Sequence, residues 1–386
     1  MTGEANAPSY HRFEVGDPAP WFTQRTAQNP RFVMDVVAGR YIVLGFHGSA
    51  GDAEGRAAID AVLRHRHLFD DEKACFFGIS IDPADEAEGR IADSMPGIRY
   101  FFDFDFGVSR LYGAAPVDAR PGQGELPFRR FWVVLDPTLR IRALFPFDGL
   151  DRLFDFIAAL PAVEQFAGID IQAPVLFLPN VFEPEFCRHL IGLYERHGGE
   201  ESGFMREVDG KTVAIQDKNH KQRRDYNIVD DDVIAATRAR IRRRIVPEIR
   251  KVHQFEVTRM ERYIVCCYDA GEGGHFRAHR DNTTSGTAHR RFAVSINLND
   301  AFDGGEVSFP EYGPRSFKPP PGGAVVFSCS LLHAVSRVTR GRRYAFLPFL
   351  YDDAAAKIRE ANNQFLGEGV GAYRSGAAAT EAARAG

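Results

Sequence analysis

The rhythm of hydrophobic positions changes twice along this chain. Between about Phe13 and Leu160, short apolar runs alternate with amphipathic stretches. Tyr41–Phe46 (YIVLGF) is continuously apolar, the pattern of a strand buried on both faces. A helical stretch with Ile59 and Leu63 on one face follows it, then the strand-like runs Cys75–Ser80 (CFFGIS) and Ile98–Phe102. Phe131–Leu135 (FWVVL) and Ile141–Pro146 flank a turn at Asp136–Pro137, and Leu150, Leu153, Phe154 and Ile157 mark an amphipathic helix. The alternation predicts an α/β domain with a mixed sheet covered by helices.

A boundary is expected near Pro161–Ala173. Beyond it come PVLFLPNVF and a helix beginning near Glu183, with Phe186, Leu190 and Tyr194 four apart. Ile234, Ile241, Ile245, Ile249 and Val252 recur at helical spacing with arginines between them. From about Val257 the rhythm shortens. Strand-length runs are broken by turns at Ala270–Gly274, Asp303–Gly305 and Pro319–Gly323, which argues for an antiparallel sandwich or jelly roll. The Ala- and Gly-rich end reads as a partly disordered tail. The division expected is 1–165, 166–358 and a tail at 359–386.

Composition narrows the function classes. The 386 residues are 44% hydrophobic and 26% charged with a net charge of −4, ordinary for a soluble protein and unlike a nucleic-acid binder. Two basic runs stand out, Lys218–Arg224 and Arg238–Arg244. The second reads as a solvated helix face; the alternative is an acidic partner or substrate. Five scattered cysteines, with no C-x-x-C pair, suggest buried thiols in a reducing compartment. Met1–Pro20 is polar and no run could span a membrane, so a cytoplasmic location and no membrane partner are expected.

The chemistry gathers in the third stretch. In YDAGEGGHFRAHRDN (268–282), His279 and Asp281 are two apart. On a strand they would project from one face, two thirds of a 2-His-1-carboxylate iron triad. His333 follows the run GAVVFS and is the candidate third ligand. Ten residues later, Arg343 would share an inner strand face with Ala345, Leu347 and Phe349, while Arg342 faces solvent. A guanidinium on an apolar face needs a partner, and a carboxylate of an oxo-acid would pair with it in bidentate fashion.

With these residues in hand, residues from about 170 to 352 resemble the prolyl-4-hydroxylase-type 2-oxoglutarate/iron(II) dioxygenases. The likeness runs through Tyr268, His279-x-Asp281, SINLND, GGEVSFP and PGGAVVFSCSLLHAVSRVTRGRRYAF. It implies a double-stranded β-helix with flanking helices. It makes His279, Asp281 and His333 the iron ligands, and Arg343, Tyr268 and Asn297 the groups around 2-oxoglutarate. His275 and Arg277 become candidates for the substrate pocket, and no residue serves as a catalytic nucleophile. The cofactor set implied is iron(II), 2-oxoglutarate and O2, with ascorbate as a reductant. The reaction implied is hydroxylation of a C–H bond in a protein, peptide or small molecule, releasing succinate and CO2.

The first domain is similar to peroxiredoxin-type thioredoxin folds in GDPAPWFTQRTAQNPRFVMDVVAGRYIVLGFHGSAGDAEGRAA. Aligned to that family's Pro-x3-Thr-x2-Cys loop, Gly48 stands for the proline, Asp52 for the threonine and Gly55 for the peroxidatic cysteine. Arg130 resembles the activating arginine. Without a thiolate at position 55 the expectation is a fold lacking peroxidase activity. Its role would be to dock a partner, cover the oxygenase site, mediate a homodimer or simply stabilise the chain. Three functions remain in play: the oxygenase, an iron-site binding or sensor protein without turnover, and a thiol peroxidase.

Overall fold

The computed structural model describes residues 8–122, 126–367 and 370–374. It divides into two compact units, Met1–Gln172 with Pro310–Gly313, and Ala173–Phe309 with Pro314–Gly386.

In the first unit the apolar runs become strands β1 (Tyr41–Gly48), β2 (Ala74–Ser80) and β3 (Ile98–Phe102), followed by the hairpin β4 (Phe131–Leu135) and β5 (Ile141–Pro146). Helix α1 (Ala53–Arg64) links β1 to β2, α2 (Gly107–Leu111) follows β3, and α3 (Leu150–Ala158) follows β5. The sheet order is β3-β2-β1-β4-β5. The first three strands run parallel, and β4 and β5 pair antiparallel. A βαβ crossover, an antiparallel hairpin and a closing helix make a thioredoxin-like sheet. The continuously apolar β1 and β2 are buried along their whole length, as strands covered on both faces must be. Leu153, Phe154 and Ile157 of α3 pack into the same core.

The loop after β1 departs from peroxidase chemistry at each aligned position. Gly48 has φ +79°, a conformation closed to proline. Asp52 caps α1 by accepting from the Gly55 amide at 2.8 Å. Arg130 donates to Asp52 at 3.0 Å and to Glu54 at 3.0 Å, so two carboxylates occupy the guanidinium that would otherwise activate a thiolate. A Cβ at Gly55 would overlap the carbonyl oxygen of Ser49. Cys75 is buried in β2, where burial pushes its thiol up to about 12.

The second unit carries more strands. Its elements are β6 (Leu176–Leu178), α4 (Pro184–His197), β7 (Lys221–Gln222), β8 (Arg224–Asn227), α5 (Asp231–Arg244), α6 (Val246–His253), β9 (Ile264–Asp269), β10 (His275–His279), β11 (Phe292–Asn297), β12 (Val307–Ser308), β13 (Ser316–Phe317), β14 (Ala324–Ser328), β15 (His333–Val335), β16 (Arg340–Phe346) and β17 (Phe349–Tyr351). The smaller sheet runs β7-β10-β15-β12-β13; the larger runs β17-β11-β16-β9-β8, with β14 joining β11 to β6. Two antiparallel sheets of this kind form the double-stranded β-helix that the resemblance implied. Helices α4, α5 and α6 cover the larger sheet through Leu190, Tyr194, Ile241, Ile245 and Ile249.

The long helix expected through Ile234–Val252 is two helices. Pro247 lacks an amide hydrogen and sits in the first turn of α6, where that loss is harmless. The break takes Val252 off the buried face and leaves it 53% exposed. Helix Asp353–Ala361 carries regular structure past the expected tail boundary, and the Gly367 amide donates to the Thr212 carbonyl. The rest of the expected tail, 368–369 and 375–386, lies outside the described residues. Among the described residues no helix is long and apolar enough to cross a membrane.

Substituting Gly55 with Ala is expected to destabilise the protein by about 1–3 kcal/mol in denaturant unfolding, the usual cost of overpacking. Gly55→Cys is expected to unfold as readily and to consume no peroxide with thiols. Rapid peroxide turnover by that variant would show that the loop can still form a peroxidatic site.

Candidate metal centre

His279 ends β10 and His333 begins β15, and the two are directly paired across the antiparallel ladder. Their ring centroids are 4.2 Å apart. Asp281 lies just beyond the strand rather than on it. There its amide donates to the Cys329 carbonyl at 2.9 Å, which ties the turn back to the neighbouring chain. The Asp281 carboxylate faces both rings, 3.6 Å from His279 Nε2 and 3.3 Å from His333 Nε2. One donor atom from each of the three residues falls within 4.8 Å of the others.

The backbone fixes which nitrogen of each ring is free. His279 Nδ1 lies 2.7 Å from the Arg277 carbonyl, and His333 Nδ1 lies 3.0 Å from the Leu331 carbonyl. A carbonyl only accepts, so each Nδ1 carries a proton, and Nε2 is the nitrogen turned toward Asp281, the one that could serve a metal. Burial pushes the His279 pKa down to about 4, with His333 acting in the same direction, so this imidazole is neutral at pH 7. Burial alone would raise the Asp281 pKa, but the two histidines beside it hold it below the usual carboxylate range. Two imidazole nitrogens and one carboxylate oxygen on one side of a point are a donor set for a divalent metal.

A second group of polar residues lines the larger sheet. Arg343 on β16 is paired directly with Tyr268 on β9. It is 1% exposed, whereas the side chain of Arg342 beside it is 54% exposed. Arg343 Nε donates to Asn297 Oδ1 at 3.0 Å and one Nη donates to Ser295 Oγ at 2.7 Å. Its remaining Nη has no partner, and among the described residues no carboxylate pairs with it. Asn297 is held in turn by donating to the Pro319 carbonyl at 2.9 Å. The Tyr268 ring lies 5.3 Å from the Arg343 guanidinium.

The structure therefore brings together His279, Asp281 and His333, and separately Tyr268, Asn297 and Arg343. His275 and Arg277 do not join either group. Both ring nitrogens of His275 face carbonyls, those of Gly273 and Asn219, and Arg277 is exposed. Several neighbours were not singled out from the sequence. The Phe276 ring stacks on His279 at 3.5 Å, His220 lies 6.4 Å from the same ring, and Arg290 donates to the Asp281 carbonyl at 3.3 Å. The signal for the first was available: Phe276 is the one aromatic within three residues of a suspected ligand in that strand. A hollow of about 290 Å³ lies elsewhere, lined by Tyr194, Arg224, Cys267, Glu272 and Arg342. Its two arginines are already paired, with Glu272 and Asp269.

Comparison with known proteins gives a family match over this region. A model described as the 2OG-Fe(II) oxygenase superfamily matches residues 248–351. A PKHD-type hydroxylase of Cupriavidus metallidurans is 30% identical over 180 residues, 44% of this chain and 74% of that protein. The PKHD-type hydroxylase GOX0559 of Gluconobacter oxydans is 41% identical over 87 residues, 20% of this chain, and the match spans only 37% of the relative's length. Among solved structures, the peroxidoxin BcpB from Mycobacterium tuberculosis is 21% identical with a TM-score of 0.33, covering 39% of this chain and all of that one.

Replacing Asn297 with Leu would leave Arg343 Nε and the Pro319 carbonyl buried without partners. The variant is expected to lose about 1–3 kcal/mol of unfolding free energy. Arg342→Gln, on the exposed side of the same strand, is expected to stay within about 0.5 kcal/mol of the parent. Equal losses in the two would mean that Arg343 does not depend on Asn297.

Proposed function

The chain belongs to the 2OG-Fe(II) oxygenase superfamily, and on that footing we propose that its second unit is an iron(II)- and 2-oxoglutarate-dependent hydroxylase. His279, Asp281 and His333 hold the metal, and Arg343 with Asn297 and Tyr268 holds the co-substrate. The observation that carries this reading is the pair of imidazoles whose Nδ1 atoms are tied to carbonyls, with both Nε2 atoms turned to one carboxylate. Three protein donors on one side leave the opposite side of a six-coordinate ion for other ligands.

Bound iron with 2-oxoglutarate and O2 would supply the oxidising chemistry, converting a C–H bond to C–OH with release of succinate and CO2. The protein's own residues do the rest. Arg343 offers an unpaired buried donor to the far carboxylate of the co-substrate, and Ser295 and Asn297 keep that guanidinium from rotating. The Tyr268 hydroxyl accepts from Arg223 at 3.3 Å, so its own hydrogen is left to donate to an acceptor in the pocket. The Phe276 and Phe327 rings, 3.5 and 4.6 Å from the two imidazoles, fix the ring planes and exclude water from that side. The substrate is a protein, peptide or small molecule carrying the C–H bond. The first unit has no peroxidase role in this reading, because Gly55 offers no nucleophile.

Anaerobic addition of iron(II) and then 2-oxoglutarate to metal-free protein is expected to give a visible charge-transfer band that saturates. His279→Ala is expected to abolish it. Arg343→Ala is expected to weaken 2-oxoglutarate binding by about 1.5–3 kcal/mol, the scale of a charged hydrogen bond. A well-folded protein that gives no band would favour a binding or sensor role instead.

A further inference from the structure

The basic run Lys218–Arg224 is split, with Lys218 and Arg224 facing solvent. Lys221 and Arg223 turn inward and are nearly fully buried. Lys221 is paired directly with Phe276 across β7 and β10, and its ammonium lies 4.9 Å above the Phe276 ring that stacks on His279. Arg223 donates to the Tyr268 hydroxyl, on the inner face that Tyr268 shares with Arg343. The cluster thus touches a neighbour of the metal ligands on one side and of the co-substrate arginine on the other.

Its charges do not balance. Arg223 Nη2 donates to Asp225 Oδ2 at 2.7 Å, and Arg262 reaches the same oxygen at 3.4 Å. Among the described residues Lys221 meets only neutral acceptors, Ser202 Oγ at 2.7 Å and the Gly203 carbonyl at 2.5 Å. Among the described residues, Arg223 and Arg262 therefore share one carboxylate and Lys221 pairs with none. Burial drives the Lys221 pKa well below that of an ordinary lysine. Even with that ammonium neutral, two guanidiniums still share Asp225. Arg223 Nε is buried without a partner. Surplus charge of this kind is costly unless an anion joins it. Arg343 and the metal account for the co-substrate's two carboxylates, so 2-oxoglutarate does not supply that anion. The Arg262 side chain, 28% exposed, leaves the cluster open to a ligand.

We propose that Lys221, Arg223 and Arg262 form a second anion site that holds a carboxylate of the substrate, so that the oxidised molecule is an organic acid or an acidic peptide segment. This rests on the hydroxylase reading above and deepens it. Arg223 and Arg262 would anchor the carboxylate in charge-assisted hydrogen bonds and present the rest of the molecule to the metal side of Phe276.

The test uses the full chain loaded anaerobically with iron(II) and saturating 2-oxoglutarate. Calorimetric titrations would use N-acetyl-aspartate as a free acid, a capped Gly-Asp-Gly peptide as an acidic segment, and N-acetyl-asparagine amide as the uncharged control. At least one carboxylate probe is expected to bind about tenfold more tightly than the amide, the worth of one charged hydrogen bond. The probe preferred identifies the source of the carboxylate. Arg262→Gln and Lys221→Met are each expected to weaken that probe by about tenfold while 2-oxoglutarate affinity changes by less than about twofold. Arg262 is partly exposed, so its variant is expected to fold even if Lys221→Met does not. Equal binding of acid and amide, or a loss of 2-oxoglutarate affinity matching that of Arg343→Ala, would overturn the second site. No carboxylate binding alongside a normal charge-transfer band would overturn it and leave the hydroxylase intact. Absence of the band would remove both.

Discussion

The site depends on one irregularity in one strand pair. Phe276 is opposite Val335 and His279 is opposite His333, so three steps along β10 match two along β15. One extra residue is accommodated as a bulge. In a regular strand, residues three apart point to opposite faces. The bulge brings Phe276 and His279 to the same face, where their rings stack at 3.5 Å. It also sets His279 directly across from His333 and lets the chain turn so that Asp281 comes back between them. A regular β10 would keep the two histidines in one ladder or Phe276 beside its ligand, but not both.

This explains which parts of the site were legible in the sequence. The ligand residues could be found because their types and order are restrictive: H-x-D, then a histidine after an apolar run, then an arginine ten residues on. Their geometry could not be found that way. Even spacing from His279 puts His275 and Arg277 on the ligand face of an ideal strand, and the bulge moves His279 away from both. No residue in HFRAH announces a bulge, because the extra residue is set by pairing with a strand more than fifty positions later. Arg343 and Arg342 were separable by simple alternation, since β16 is regular there and its register with β9 is unbroken.

The fold was legible for a similar reason. Continuous apolar runs such as YIVLGF and CFFGIS can be satisfied only by strands covered on both sides, and they are. The long helix was misjudged because hydrophobic periodicity continues smoothly through Pro247, while the backbone does not. The basic run at 218–224 carried no reading of its own in the sequence. Composition alone did not separate its members, yet the strands send Lys221, Arg223 and Asp225 inward and Arg224 outward to Glu272. A strand spanning only a few residues gives too short a pattern to outweigh composition.

The arginines at the two candidate sites are partnered differently. In the first, the arginine that a thiolate would need is balanced by Asp52 and Glu54, and nothing at that loop calls for a further ligand. In the second, Arg343 has an unpaired buried donor and, among the described residues, no carboxylate, and Arg223 has another unpaired donor. Folding alone gains nothing from a buried guanidinium left short of partners; apolar side chains of the same volume would be no less stable there. Such groups make physical sense where the missing partner arrives as a ligand. The unpartnered Arg343 donor thus supports a ligand site in the second unit on grounds that are independent of the metal ligands, while Arg130 in the first unit already has Asp52 and Glu54 as partners.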